Sequence, residues 1–259
     1  RPDPQIIWPS NNPYNGKIDA IYNRSNKGGG SWDIKNTKMP SSWQVSYHDL
    51  TFNLKLMGFK HTGLFPEQAY NWNMIIHKIK EAKRDVKVLN LFAYTGAASM
   101  AALSAGASVV HVDSSRGMVD WAKENAASCG LSDKPIRYIV DDCKKFVDRE
   151  IRRGNKYDII LMDPPSFGRG SNGQVWDIEK DLYPLVEACS KILSDDPILF
   201  LINSYTTGLS MNVLEDVLKL CIKNKGYITS DELGLPVKNS NLVLPCGIFA
   251  RWEKEKYEE

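Results

Sequence analysis

The sequence predicts an α/β protein with a mostly parallel, doubly wound sheet, preceded by a small antiparallel β subdomain. Two observations carry this prediction. From residue 86 onward, short apolar segments alternate with amphipathic segments of helical period. Up to residue 64, short runs rich in aromatic and β-branched residues are instead separated by turn residues. We therefore place a β-rich subdomain at residues 1–64 and the main domain at residues 65–259.

The main domain is expected to contain five apolar strands with helices between them, at 86–92, 108–113, 136–142, 156–163 and 197–203. Strands so continuously apolar need cover on both faces, which helices provide in a parallel sheet. Two further strands, around 226–230 and 242–252, have no helix between them, so we expect an antiparallel hairpin at the sheet edge. A helix beginning at Pro66 precedes the first strand.

The first quarter of the chain differs from the rest in amino-acid composition and in its predicted strands. Its predicted strands, at 17–23, 31–36, 43–48 and 50–56, are expected to form one small antiparallel sheet. Residues 1–60 carry eight Lys and Arg against four Asp and are rich in aromatic residues. Such a segment can steer and stack a polyanion, or can use its aromatic residues as the core of a small β subdomain. Both interpretations remain open at this point.

The composition, at 42% hydrophobic and 25% charged residues with a net charge of +2, is that of an ordinary globular domain and neither indicates nor excludes nucleic-acid binding. The five cysteines are scattered without a C-x-x-C pair, and the four histidines do not cluster, so neither a disulfide framework nor a metal site is predicted. No apolar run reaches membrane-spanning length and no signal sequence is visible. We expect a cytoplasmic protein without membrane contact; its oligomeric state is not indicated.

Polar residues suited to a single ligand follow four consecutive predicted strands. The loop 90–99 contains Gly96 just before a helix, and the next three strands end at Asp113, Asp142 and Asp163. In an open α/β sheet, ligands bind outside the carboxyl ends of the strands. An acid at the end of the second strand commonly grips the two hydroxyls of a ribose.

The glycine pattern narrows the ligand. A dinucleotide usually requires G-x-G-x-x-G for its pyrophosphate, but "FAYTGAASM" (92–100) has one glycine, and no P-loop pattern occurs. We therefore favour a nucleoside without phosphates, S-adenosylmethionine (SAM), over NAD. Asp113 would hold the ribose, Asp142 the adenine edge, and Asp163 would favour the sulfonium electrostatically.

Four segments in this order, "NLFAYTGAAS", "VHVDSS", "VDDCKKF" and "LMDPPSFGRG", resemble the class I SAM-dependent methyltransferases, which have a Rossmann-like seven-stranded sheet. They are similar more narrowly to the bacterial large-subunit ribosomal-RNA methyltransferases that act on cytosine C5 or guanine N7. "TGLFPEQAYNW" (62–72) resembles the segment before the catalytic domain of that family. The resemblance covers about residues 62–251 and implies a SAM-dependent enzyme that methylates a nucleobase, with ribosomal RNA as its partner.

The resemblance also implies roles for individual residues. The predicted catalytic residues are Asp163, Pro164, Pro165 and Ser166. The last three would face the accepting base, where the two prolines fix the backbone and their carbonyls orient a flipped base. The expected cofactor contacts are Phe92, Ala93, Tyr94, Thr95, Gly96, Asp113, Ser114, Asp142 and Asp163, with Gln68 and Asn71 adding to them.

The sequence departs from the cytosine-C5 enzymes at one important place. Those enzymes attack the ring with a cysteine that follows the fifth strand, whereas "LINSYTTGLS" (201–210) has none. We therefore expect direct SN2 transfer to a ring nitrogen, an exocyclic group or another acceptor. Cys143 and Cys246 are each expected to be a small hydrophobic residue, and a part in the chemistry is the open alternative for both.

Alternatives remain on the substrate side. Phe167 could stack on a base or cap the core, and Arg169 could contact a phosphate or simply be solvated. At the level of function, the alternatives are a methyltransferase that acts on a small molecule or a protein, and an RNA-binding assembly factor that no longer turns over.

Overall fold

A computed structural model of the chain describes residues 8, 16–25, 29–170 and 173–257. Parts of the predicted N-terminal subdomain, and residues 171–172 of the glycine-rich stretch after Asp163, lie outside the described residues. The chain divides into two compact units, Arg1–Phe65 and Pro66–Glu259.

The first unit contains two separate antiparallel ribbons, where the sequence led us to expect one sheet. Its strands are β1 (Ala20–Arg24) paired with β2 (Gly30–Ile34), and β3 (Trp43–Tyr47) paired with β4 (Leu50–Leu54). Each strand has only five residues and pairs with its neighbour in sequence. The side chains of β4 alternate between buried and half-buried, which is the period expected of a strand with one covered face.

The second unit is built on a seven-stranded sheet, which confirms the predicted fold class. Five strands pair in parallel, and β13 pairs antiparallel with both of its neighbours, in the order β12-β13-β11-β8-β5-β6-β7. The strands are β5 (Lys87–Leu91), β6 (Ser108–Asp113), β7 (Ile136–Val140), β8 (Ile159–Met162), β11 (Leu199–Ser204), β12 (Tyr227–Pro236) and β13 (Val243–Glu253). Of the predicted terminal hairpin, only β12 is an edge strand, because β13 pairs with both β11 and β12.

Helices cover both faces of this sheet in two groups. They are α1 (Ala69–Ala82), α2 (Ala97–Ser104), α3 (Arg116–Ser128), α4 (Cys143–Arg153), α5 (Ile178–Ser190) and α6 (Met211–Cys221). The first three pack side by side, and so do the last three. Alternate strand residues such as Leu89, Leu91, Ile160 and Met162 enter the core beneath α4, α5 and α6. The residues between them are also buried, which explains the continuously apolar strands.

Two local features differ from the sequence prediction. The helix expected from Pro66 begins as a 3-10 turn over Pro66–Gln68 and becomes α-helical only at Ala69, where no side chain caps its first turn. The stretch after Ser166, for which no strand is predicted, contains a short antiparallel hairpin of β9 (Phe167–Arg169) and β10 (Val175–Asp177). A strand of three residues is too short to show the alternation of apolar and polar residues by which a strand is predicted.

Candidate active site

The strand order creates a crevice at the carboxyl ends of the parallel strands. From β5 the chain winds outward through β6 and β7, then returns to the other side of β5 with β8 and β11. Ligands of open α/β sheets bind at such a reversal, because the two loops there diverge. The residues that follow β5, β6 and β8 include most of those predicted from the sequence.

The loop after β5 has an unusual backbone. Phe92 and Tyr94 adopt left-handed φ angles of 53° and 52°, and Gly96 has a φ of 86°. For a residue with a side chain this conformation costs about 1 kcal/mol or more, and such strain concentrates at functional sites. Two hydrogen bonds hold the loop: the Ala93 N–H donates to Val112 O (3.0 Å), and Thr95 O accepts from Asn125 Nδ2 (2.8 Å).

This backbone positions the carboxylate of Asp113. Tyr94 N–H donates to Asp113 Oδ2 (2.9 Å), and Ser115 N–H donates to Oδ1 (2.8 Å). Burial raises the pKa of Asp113, while these two hydrogen bonds oppose the rise. Each oxygen retains acceptor capacity, so the group can take two further donors from one ligand. Ser114, the residue between Asp113 and Ser115, is exposed.

Gly96 is required where the loop enters α2. A Cβ at this position would lie 3.0 Å from Ala122 Cβ and 3.4 Å from His111 Cε1. Behind it, Asn90 Nδ2 donates to Ser99 Oγ (3.0 Å), and Ser99 Oγ lies 3.1 Å from His111 Nδ1. Burial lowers the pKa of His111 to about 4, so the imidazole is neutral. This buried hydrogen-bonded group packs beneath the loop and supports its conformation, a role that the sequence alone does not indicate.

Asp142 has a structural role in addition to its predicted one. It is the N-cap of α4, where its side chain accepts from Lys145 N–H (2.9 Å). Its neighbour Asp141 forms an ion pair with Arg149. The contact of Asp142 with an adenine edge stays a prediction, since one carboxylate oxygen is already engaged in the cap.

Asp163 lies immediately after β8 at the centre of the crevice. Burial, with a smaller contribution from Glu67, raises the pKa of Asp163 to about 7. In the part of the chain that the structure describes, no donor is hydrogen-bonded to this carboxylate. Asp163 is half-buried, and a carboxylate with a raised pKa and no donor favours a ligand that carries a positive charge.

The two prolines after Asp163 differ in their environment. Pro164 is buried and Pro165 is exposed. Pro165 O accepts from Trp176 Nε1 (2.6 Å), so the predicted role in orienting a base falls mainly to Pro164 O, which accepts no hydrogen bond among the described residues. Ser166 Oγ lies 2.7 Å from Thr206 Oγ1, in the loop after β11.

A buried polar network adjoins Asp163. Asn71 Nδ2 donates to Gln68 Oε1 (2.8 Å) and to Asn203 Oδ1 (3.0 Å), and Gln68 Nε2 donates to Tyr205 Oη (2.9 Å). The Tyr205 hydroxyl also hydrogen-bonds Glu67. Burial raises the pKa of both Glu67 and Tyr205, and the two nearby acids add to the rise at Tyr205. Asn71 Oδ1 is buried and has no hydrogen-bond partner in the described part of the chain.

The family resemblance predicts Gln68 and Asn71 as cofactor contacts, but it does not indicate Glu67, Asn203 and Tyr205. Asn203 follows Ile202, the β11 residue paired with Met162, so it is the β11 counterpart of Asp163. The available signal was therefore the position of Asn203 and Tyr205 at the end of the fifth parallel strand.

The cysteines near the crevice are poorly suited to nucleophilic attack. Cys143 is buried, its Sγ accepts from Phe92 N–H (3.4 Å), and burial raises its thiol pKa well above the ordinary value. Cys246 is half-buried, and its thiol donates to Leu244 O (3.4 Å). Among the residues with described positions, no group of three His, Cys, Asp or Glu side chains could hold a metal ion. No helix in those same ranges has the length and apolar character needed to span a membrane.

The family model for S-adenosylmethionine-dependent methyltransferases matches residues 26–217, which is more than half of the chain. The chain belongs to this family. A crystal structure of a SAM-dependent methyltransferase from Agrobacterium tumefaciens is 38% identical and superposes with a TM-score of 0.86, covering 91% of this chain and 77% of that one.

Two curated relatives are named ribosomal RNA large subunit methyltransferase K/L. The one from Pseudoalteromonas atlantica is 38% identical over 152 residues, covering 58% of this chain and 20% of the relative. The one from Shewanella woodyi is 35% identical over 176 residues, covering 67% and 24%. This chain therefore spans only about a fifth to a quarter of the length of these relatives.

Proposed function

We propose that this member of the methyltransferase family transfers the methyl group of SAM to a nucleobase of large-subunit ribosomal RNA. The observation that carries the proposal is Asp163, a half-buried carboxylate at the strand reversal whose pKa is raised, which has no hydrogen-bond donor among the described residues and precedes two prolines. The relatives named for ribosomal RNA support the substrate class. Such a substrate agrees with the predicted cytoplasmic location.

The described residues fit the cofactor. Asp113 would accept the two ribose hydroxyls, since the Tyr94 and Ser115 amides already fix its orientation. The buried acceptor Asn71 Oδ1 would receive a donor from the ammonium group of the methionine portion. Asp163 would face the sulfonium, where an ionised carboxylate is favourable. When bound, SAM supplies an electrophilic methyl group for in-line displacement.

On the acceptor side, we infer direct transfer without a covalent enzyme–base adduct. The end of β11 continues as Asn203, Ser204 and Tyr205, so no thiol stands at that strand end, and the raised pKa keeps Cys143 protonated. Pro164 O would accept from the edge of the base, and the rigid Asp163–Ser166 segment would hold the attacking atom in line, which supplies much of the acceleration in such reactions. The proposal therefore favours a nitrogen or exocyclic acceptor over cytosine C5.

Two measurements test this proposal. Calorimetry should show SAM binding that Asp113→Ala weakens at least tenfold, the scale of losing charge-assisted hydrogen bonds to a ribose. Labelled SAM should then transfer its methyl group to deproteinised ribosomal RNA rather than to a protein or metabolite pool, and Cys246→Ser should keep full turnover.

Each part of the proposal can fail separately. Unchanged SAM affinity in Asp113→Ala would show that the cofactor site is wrong. Label in the protein or metabolite pool would transfer the proposal to another substrate, and SAM binding without incorporation anywhere would favour an assembly factor.

A further inference from the structure

The hairpin of β9 and β10 begins four residues after Asp163 and has two chemically different faces. In its register, Gly168 lies opposite Trp176, while Arg169 lies opposite Val175 and Phe167 opposite Asp177. Because directly opposite residues of an antiparallel pair point to the same side, Gly168 and Trp176 form one face and the other two pairs form the second.

The first face anchors the hairpin in the crevice. The Trp176 ring packs against Phe92 of the cofactor loop, with ring centroids 4.8 Å apart, and its indole N–H donates to Pro165 O. A Cβ at Gly168 would already lie 3.5 Å from Pro165 Cγ, so the hairpin packs closely on the proline segment. These contacts fix the hairpin between the predicted cofactor loop and the predicted acceptor segment.

The second face presents an aromatic ring and a cation to solvent. Phe167 is 57% exposed and Val175 is 55% exposed, so an aromatic ring and an aliphatic side chain are both accessible on this face. Arg169 is exposed and forms no ion pair within the described ranges of the chain. The acid on this face, Asp177, forms an ion pair with Lys180, whose Nζ lies 2.8 Å from the carboxylate, so its negative charge is balanced. Asp177 is also the N-cap of α5.

We propose that this face of the hairpin docks the single-stranded RNA that flanks the target base, with Phe167 stacking on a neighbouring base and Arg169 pairing with a phosphate. The inference rests on the proposed function and assigns the surface through which that substrate is held. Four residues of extended chain reach at most about 14 Å, so Phe167 stays within reach of nucleotides next to a base at Asp163. Stacking on an exposed ring together with a free cation is the usual way to hold a single strand.

The decisive experiment compares the two side chains with matched controls. Phe167→Ala and Phe167→Trp remove and retain the stacking ring, and Arg169→Ala and Arg169→Lys remove and retain the charge. Tyr227→Ala and Arg152→Ala serve as controls. Tyr227 is an aromatic residue of similar exposure at the start of β12, and Arg152 lies at the C-terminus of α4, so both are at the opposite end of the sheet from the hairpin.

The readouts are the affinity for a short fluorescein-labelled single-stranded RNA, the kcat and KM for deproteinised ribosomal RNA, and the SAM affinity. Phe167→Ala should weaken RNA binding about tenfold, and Phe167→Trp should restore it. Arg169→Ala should reduce the salt dependence of RNA binding by about one unit of slope, which Arg169→Lys should largely retain. SAM affinity should remain at the wild-type value in all variants.

Three outcomes would overturn the inference. If the wild type methylates ribosomal RNA but Phe167→Ala and Arg169→Ala behave like the two controls, the hairpin face does not dock RNA although the proposed function stands. If the wild type binds SAM but neither binds nor methylates RNA, the proposed function fails and the inference with it. If the variants instead lose methylation of a protein substrate, the face docks protein.

Discussion

Asp163→Asn is expected to stabilise the protein at neutral pH while it abolishes methyl transfer. Burial raises the pKa of Asp163 from 3.8 to about 7. A carboxyl whose pKa is raised on folding favours the native state at low pH, and this contribution is lost as the pH rises from about 4 to about 7. The shift of about 3 pKa units corresponds to at most about 4 kcal/mol of stability lost above pH 7. Asparagine has nearly the same shape and does not ionise, so the variant should avoid that loss.

The assay is urea unfolding of both proteins without SAM at pH 5 and pH 8. The stability advantage of Asp163→Asn should grow by roughly 2 to 3 kcal/mol over this interval, because between pH 5 and about 7 the carboxyl is ionised in the unfolded chain but still largely protonated in the native protein. Asp148→Asn, which changes an exposed carboxylate on α4, is the matched control. Other titrating groups cancel when each variant is compared with the wild type at the same pH.

Function should change in the opposite direction. Calorimetry should show that wild-type SAM affinity increases as the pH rises through 7, since the ionised carboxylate is the form that attracts a sulfonium. The affinity of Asp163→Asn should be at least tenfold weaker at pH 8. A stability gap that stays constant between pH 5 and pH 8, or a variant that is less stable than the wild type at pH 8, would refute the reasoning.

Three further substitutions test the support of the crevice. Gly96→Ala should lower the free energy of unfolding by about 2 kcal/mol, since the left-handed backbone and the 3.0 Å approach to Ala122 both oppose a Cβ, and urea unfolding at pH 7 measures it. Asp142→Ala should lower it by about 1 kcal/mol through the lost N-cap; if its SAM affinity equals that of the wild type, the predicted adenine contact is wrong. Trp176→Phe keeps the ring but not the hydrogen bond to Pro165, so kcat should fall about tenfold with an unchanged KM for SAM. An unchanged kcat would show that the indole does not position the acceptor segment.

Most of the sheet could be predicted because its strands are buried on both faces. The predicted strand 108–113 has the observed bounds, and every residue of β11 is buried, so an apolar run alone marks it. The sequence also predicts the four short strands of the first unit close to their observed bounds, but neither their pairing nor the β9–β10 hairpin. The two ribbons of the first unit and the β9–β10 hairpin depend on pairing between three- to five-residue segments, which the local sequence does not specify.

In the candidate site, the residues at strand ends could be predicted, whereas the contacts between distant segments could not. Asp113 and Asp163 could be predicted because each follows a strand, and parallel strands bring their carboxyl ends to one edge. The link between Gln68 and Tyr205 joins residues 137 positions apart, and no pattern within either segment indicates it. Likewise, the cap made by Asp142 and the engagement of Pro165 O by Trp176 become visible only in three dimensions.

The position of β13 has a consequence for synthesis of this chain on the ribosome. In the sheet, β13 lies between β11 and β12. During synthesis β12 is therefore made before β13, the strand that connects it to the rest of the sheet. Until Val243–Glu253 is available, the backbone of β11 offers an open row of donors and acceptors on an apolar strand, which invites pairing with other chains. The edge of β11 is therefore exposed to aggregation until Val243–Glu253 is translated, and a chaperone that binds during this interval would protect it.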